Sequence, residues 1–177
     1  MDLMPDQRDS PTQSRLPNAD QRRADGRVDN EGMHRIAHQE ILMKLQQASG
    51  KGNRGLVEIY KTEVLPARTR TIRLPGRKIS ARIIHTLLGF EVKASGKRIH
   101  CPDMVTARYL KLFTELGCRS IKLPYDPTLT ARLVPELEAA IERLGSGVRQ
   151  LFPEKRELRL YVIRQLYGYL RRQVQRT

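Results

Sequence analysis

Residues 90–101, FEVKASGKRIHC, predict a β-hairpin that turns at Ser95-Gly96. This turn sets a register with apolar pairs on one face and polar pairs on the other: Phe90–Cys101 and Val92–Ile99 on the first, Glu91–His100 and Lys93–Arg98 on the second. Lys93 opposite Arg98 is a pair of like charges, which is unfavourable unless an anion lies nearby. The hairpin is therefore a candidate anion-binding element as well as a structural one.

Helical patterns surround the hairpin on both sides. Apolar spacing, capping residues and glycine stops predict five helices: 33–48, Ser80–Leu88, Asp103–Leu116, Pro135–Leu144 and Glu154–Gln173. In the second of these, Ile83, Ile84, Leu87 and Leu88 form the apolar stripe. In the fifth, the inner face is formed by Leu158, Val162, Leu166 and Leu170. Strands are predicted at 68–74 and 119–123, whereas 56–65 fits either a helix or a strand.

These elements predict a helix-rich α+β fold with one clear hairpin at residues 90–101, followed by two C-terminal helices. If 56–65 is helical, residues 33–101 run as three helices followed by a basic hairpin. This order resembles a winged helix-turn-helix in outline. The resemblance lies in the order of the elements alone.

The composition predicts a single domain preceded by a tail. The chain has 177 residues, and residues 1–32 hold seven acids, five arginines and very few apolar side chains, which predicts a disordered polar tail. Residues 33–177 form the predicted basic globular domain. Two cysteines exclude a disulfide scaffold, and no stretch approaches the length of an apolar membrane span. Because the N-terminus also lacks a secretory signal pattern, we expect a cytoplasmic protein without a membrane partner.

Positive charge is concentrated in two segments of the chain. The net charge is +14, and residues 54–122 carry 15 basic and 5 acidic residues. No acid occurs between Val64 and Phe90, a stretch that holds Arg68, Arg70, Arg73, Arg77, Lys78 and Arg82. Such an uncompensated cluster is typical of phosphate contacts. A solvated cationic face and an acidic protein partner are the alternatives.

Two further groups of basic residues complete the candidate nucleic-acid-binding set. The hairpin contributes Lys93, Lys97 and Arg98, and the last helix contributes Arg171 and Arg172. Cations near a helix C-terminus also complement the helix dipole, so the last helix is open to two interpretations. It contacts phosphate, or it packs in the core or against a second copy of the chain as a homodimer.

No pattern of catalytic or metal-binding residues accompanies these basic groups. His100 and Cys101 are neighbours on a predicted strand, so their side chains point to opposite faces and should not share a metal ion. We expect Cys101 and Cys118 to be core residues. No metal, cofactor or catalytic residue is predicted, although a metal-dependent nuclease using Glu58 and Glu63 remains an alternative.

The sequence thus predicts a nucleic-acid-binding protein that is not an enzyme. Aromatic residues make up only 5% of the chain, which disfavours a stacking platform for single strands and favours duplex DNA over RNA. A transcriptional regulator is the leading hypothesis. An RNA- or ribosome-associated structural protein is the alternative within the same class.

Overall fold

The computed structural model describes residues 54–176. The predicted tail at 1–32 and the predicted helix at 33–48 lie outside these residues. The described elements are α1 (Leu56–Ile59), a π-helical turn (Tyr60–Val64), β1 (Thr69–Arg73), β2 (Arg82–Thr86), β3 (Gly89–Ala94), β4 (Lys97–Cys101), α2 (Met104–Leu116), β5 (Ser120–Pro124), α3 (Pro127–Leu151) and α4 (Arg156–Gln175). The α+β prediction, with its hairpin and two C-terminal helices, is confirmed.

The strands form two antiparallel sheets. β1 pairs with β5 in a two-stranded sheet, and β2, β3 and β4 form a three-stranded sheet in that order. The predicted hairpin is β3–β4, and its register agrees with the prediction at all four pairs. Ser95 and Gly96 both have positive φ, at 48° and 78°, as a type I′ turn requires.

The helix predicted at Ser80–Leu88 is wrong. Residues 82–86 form strand β2, in which Ile83 pairs with Val92 of β3. The apolar spacing suits a helix, but β-branched residues also favour a strand, and pairing with β3 decides between them. Leu87 and Leu88, expected in the buried stripe, lie in an exposed turn. Because the recognition helix is absent, the winged helix-turn-helix arrangement is not confirmed.

Residues 56–64, which the pattern left open, are helical. Leu56, Tyr60 and Val64 are all buried, as the helical interpretation of their spacing requires. The last five residues form a π-helical turn.

Helix α2 follows its prediction closely. Asp103 is the N-cap and its carboxylate accepts a hydrogen bond from the Thr106 backbone N–H at 2.6 Å. Gly117 ends the helix in the left-handed conformation, with φ 83°.

Helix α3 is much longer than predicted. It begins at Pro127 after the N-cap Asp126, whose carboxylate accepts from the Thr128 N–H at 2.8 Å. Pro135, predicted as the first residue, lies inside the helix. The helix also continues beyond Gly145, which was predicted to end it. Val148 is buried with residues of α4, and this packing extends the helix beyond the glycine.

Helix α4 starts and ends two residues later than predicted. Val162, Leu166 and Leu170 are buried as expected, whereas Leu158 is exposed. Between residues 54 and 176, no helix combines the length and apolar character needed to cross a membrane.

Two buried tyrosines connect the helices to β5. The Tyr109 hydroxyl donates to the Lys122 carbonyl at 2.7 Å, and the Tyr60 hydroxyl accepts from the Lys122 N–H at 3.1 Å. Both rings pack against Phe113, with centroids 4.9 and 5.6 Å apart. Burial raises the pKa of both phenols, that of Tyr109 well above its ordinary value. Both hydroxyls therefore stay protonated and keep these bonds at neutral pH.

We expect Tyr109→Phe to lower the free energy of unfolding by about 1–3 kcal/mol, because it leaves the part-buried Lys122 carbonyl without this donor. Urea unfolding measures the change. Tyr161→Phe, at an exposed position on α4, is the control and should stay within about 0.5 kcal/mol of the wild type. Equal effects of the two substitutions would contradict this role of Tyr109.

Candidate nucleic-acid interface

The three-stranded sheet has one covered face and one open face. Helix α2 contacts all three strands. Val92, Ala94 and Cys101 are buried on that side, while Arg82, Lys93, Arg98 and His100 are exposed on the other. Because the side chains of a strand alternate between faces, the register determines which residues share the open face.

Three cations form a row across the open face. Arg82 pairs with Lys93, and Lys93 pairs with Arg98, so one cation comes from each strand. With neighbouring strands about 4.8 Å apart, the row spans about 10 Å between its outer backbone positions. Directly opposed like charges destabilise a sheet, so this row costs the isolated protein stability.

Two more cations lie at the β3–β4 turn. Arg77 arrives from the segment before β2 and donates from Nη2 to the Ser95 hydroxyl. Lys97 is exposed on the first residue of β4, but it pairs with Ala94 and so lies on the α2 side of the sheet. We call Arg77, Arg82, Lys93 and Arg98 the sheet-face cluster. All five cations were predicted as nucleic-acid-binding residues, and the structure brings four of them together without Lys97.

The sheet-face cluster has little compensating negative charge. Arg98 contacts Glu91 at 3.5 Å, whereas Arg82 and Lys93 have no acidic partner among the described residues. On the side of α2 and α3, acids hold basic side chains in ion pairs: Glu63 and Glu136 with Arg54, Glu63 with Arg132, Glu138 with Arg108, Glu142 with Arg149 and Glu115 with Lys111. Cations of α4, among them Arg156, Arg164 and Arg172, also lack an acidic partner among the described residues. What distinguishes the row is that the register opposes its cations directly across three strands.

The structure places the β1 arginines outside this cluster. Arg68 stacks over the Tyr125 ring at 5.3 Å, and Arg73 pairs with Ser120 in the two-stranded sheet. Arg70 is exposed on the same strand. Burial raises the pKa of the Cys101 thiol to about 11, and the positive charge of Arg70 acts on this pKa in the opposite direction.

Lys78 turns away from the sheet toward α4. Its Nζ lies 4.3 Å from the centroid of the Tyr167 ring, and burial, followed by the charge of Arg164, lowers its pKa. The Lys78 side chain takes this direction because the Lys78 backbone packs closely against Gly117. A Cβ at Gly117 would stand 2.7 Å from the Lys78 nitrogen, so only glycine fits there. This docking separates Lys78 from its sequence neighbour Arg77.

Arg171 and Arg172 lie near the end of α4. Arg171 is half-buried. Burial raises the pKa of the Cys118 thiol to about 12, and the positive charge of Arg171 acts on this pKa in the opposite direction. Arg172 is exposed. Neither residue belongs to the sheet-face cluster.

The core roles predicted for the two cysteines are confirmed. Both are fully buried, and His100 points to the open face while Cys101 points inward, as the strand pattern predicted. In the part of the chain that the structure describes, no three His, Cys, Asp or Glu residues are grouped so as to hold a metal ion.

The sequence analysis missed two exposed features of the sheets. Lys122 lies on the outer face of the two-stranded sheet and donates to the Thr71 hydroxyl at 3.0 Å. The alternation in SIKLP, residues 120–124, is the signal that would have placed it outward. Leu87 and Leu88 are fully exposed, which no helical interpretation of their spacing could reveal.

Comparison of the chain with models of protein families, with curated proteins and with solved structures finds no match in any of the three.

We expect Lys93→Thr to raise the free energy of unfolding by about 0.2–1 kcal/mol at low salt, because it removes the centre of the row of like charges. The gain should vanish near 1 M salt, where the screening length falls to about 3 Å. Urea unfolding at both salt concentrations measures it.

Lys122→Thr is the matched control, since Lys122 is also exposed on a strand but its direct cross-strand partner is Thr71 instead of a cation. It should show no such salt-dependent gain. If both variants respond to salt in the same way, the repulsion assigned to the row is wrong.

Proposed function

We propose that this protein binds duplex DNA through the sheet-face cluster and acts as a DNA-binding regulator rather than an enzyme. The observation that carries the proposal is the row Arg82–Lys93–Arg98, three cations opposed across three strands with Glu91 as the one acid in contact with them among residues 54–176. Duplex DNA presents about one negative charge per 1.7 Å of helix axis, which neutralises such a row.

The shape of the open face suits a duplex groove. The row is about 10 Å wide, and the major groove is about 12 Å wide and accepts β-structures that read base edges or contact phosphates. The sheet is backed by α2, so its open face is held rigid before binding. Preorganisation of this kind reduces the entropy lost on association.

The composition of the open face favours a duplex over single strands. Its side chains are Arg82, Ile84, Thr86, Glu91, Lys93, Arg98 and His100. No Phe, Tyr or Trp is among them, whereas sheet surfaces that bind single-stranded RNA stack bases on such rings. Phe90, the aromatic residue of β3, points to the covered face, where His85 stacks on it at 4.9 Å.

The nuclease alternative finds less support in the carboxylates. Glu63 is bound by Arg54 at 2.7 Å and by Arg132 at 2.8 Å. The hydrogen bond from Arg54 and the charge of Arg132 lower its pKa. Its oxygens are thus occupied by guanidinium groups, which supports a structural role for Glu63 over metal binding.

Two parts of the sequence prediction remain predictions. A homodimer through the C-terminal helices would bury Leu158 and Tyr161, which are exposed near the start of α4. A cytoplasmic location agrees with buried cysteines that form no disulfide.

We expect the triple variant Arg82→Gln, Lys93→Gln, Arg98→Gln to weaken binding of the full chain to a labelled duplex. Because each phosphate contact contributes about 0.9 to the slope of log affinity against log salt, the slope should fall by about 3. Fluorescence anisotropy over a salt series gives this slope. Duplex DNA, single-stranded DNA and structured RNA are compared in the same series.

The matched control is Lys61→Gln, Lys155→Gln, Arg156→Gln, which removes the same charge from exposed positions outside the three-stranded sheet. Its slope should equal that of the wild type. An equal loss in both triple variants would show that total charge, not the row, drives binding. Preference for structured RNA would favour the RNA-associated alternative.

A further inference from the structure

The turn between β2 and β3 exposes two leucines. Leu87 and Leu88 are 105% and 84% exposed, more than any other large apolar residue between 54 and 176. They are the two central residues of a tight turn closed by the Thr86–Gly89 pair. No residue of the described chain covers either side chain.

Leucine is an unusual choice for such a turn. Two-residue hairpin turns favour Asn, Asp and Gly because these residues adopt the required backbone conformations. The β3–β4 turn of the same sheet follows that rule with Gly96, whereas in the β2–β3 turn the positive φ falls on Gly89, directly after the leucines. The backbone of the turn therefore does not require leucine at either position, and the two apolar side chains lie in solvent without a folding benefit, which is typical of functional positions.

The turn is rigidly held and lies at one end of the open face. The Thr86 hydroxyl donates to the Gly89 carbonyl at 3.2 Å, and Gly89 has φ 117°. A Cβ at Gly89 would lie 3.1 Å from the Cys101 carbonyl and 3.6 Å from the His100 ring. The base of the turn is therefore packed against the end of β4, and the two leucines project from it.

The cationic row lies toward the other end of the same strand. Arg82 lies four residues before Thr86 on β2, a separation of about 13 Å. No acid occurs between Val64 and Phe90. An apolar tip at this distance from a row of cations fits a partner that is apolar inside and anionic outside.

We propose that Leu87 and Leu88 form a wedge that inserts between base pairs from the minor groove and kinks the duplex. This inference rests on the proposed function. Proteins that bend DNA insert leucine and similar side chains at a base step and use backbone contacts to hold the bent form. Neighbouring major and minor grooves are about 17 Å apart along the axis, half of one helical turn. The 13 Å between row and turn lets both engage adjacent grooves.

The double variant Leu87→Asn, Leu88→Gly tests the wedge. Asn-Gly suits a tight hairpin turn, so the fold should be kept, and thermal unfolding checks this. The wild-type full chain should raise the energy transfer between dyes at the two ends of a short duplex, because the ends approach when the duplex bends. In the variant this change should be lost while the salt slope stays unchanged.

A second duplex with a central mismatch gives an independent readout. A mismatched step is easier to unstack, so the wild type should bind it roughly tenfold more tightly than the paired duplex. The variant should bind both duplexes equally. Leu151→Asn, Leu160→Asn removes exposed leucines from α3 and α4 and is the matched control, which should bend DNA like the wild type.

The outcomes separate the two proposals. If the wild type binds the duplex with the expected salt slope but the Asn-Gly variant bends it equally and keeps the mismatch preference, the wedge is overturned and the sheet interface stands. If the wild type does not bind the duplex, both proposals fall. Loss of bending in the Leu151–Leu160 control as well would also overturn the wedge.

Discussion

The backbone of one exposed residue, Lys122, connects the parts of this fold. β5 has β1 on one edge, so on its other edge a part-buried N–H and C=O need partners. The hydroxyls of Tyr60 and Tyr109 supply them at 3.1 and 2.7 Å. One tyrosine comes from the π-helical turn and the other from α2. Because their rings meet on Phe113, this pair of hydrogen bonds holds two helices and a sheet in one core.

The position of α2 determines what the three-stranded sheet can do. One side of this helix carries Tyr109 and Phe113 to the core around β5, and the helix also contacts β2, β3 and β4. The sheet is thus covered on one face and open on the other. Acids pair with basic residues along α2 and α3, while Arg82 and Lys93 of the open face have no such partner among the described residues. Arg156, Arg164 and Arg172 of α4 also lack an acidic partner among the described residues, so the row differs from them in its alignment across three strands.

Local patterns were sufficient where a short segment is stabilised by its own residues. The β3–β4 hairpin was predicted to its register because Ser95-Gly96 specifies the turn and alternation specifies the faces. Helix α2 was predicted because Asp103 and Gly117 are strong end signals. Helix α3 was predicted too short because proline and glycine are common at helix ends, and Pro135 and Gly145 were therefore predicted as its two ends. Its actual extent depends on Asp126 and on the burial of Val148 against α4.

The sequence by itself determined the α+β class, the hairpin and the excess of positive charge. Only the tertiary structure decided which cations meet. β2 is a strand because Ile83 pairs with Val92 of β3, a contact that no local pattern contains. That pairing aligns Arg82 with Lys93 and Arg98, and docking against Gly117 sends Lys78 to Tyr167. Charge is a property of composition, but its arrangement on a surface depends on strand pairing and packing between distant segments.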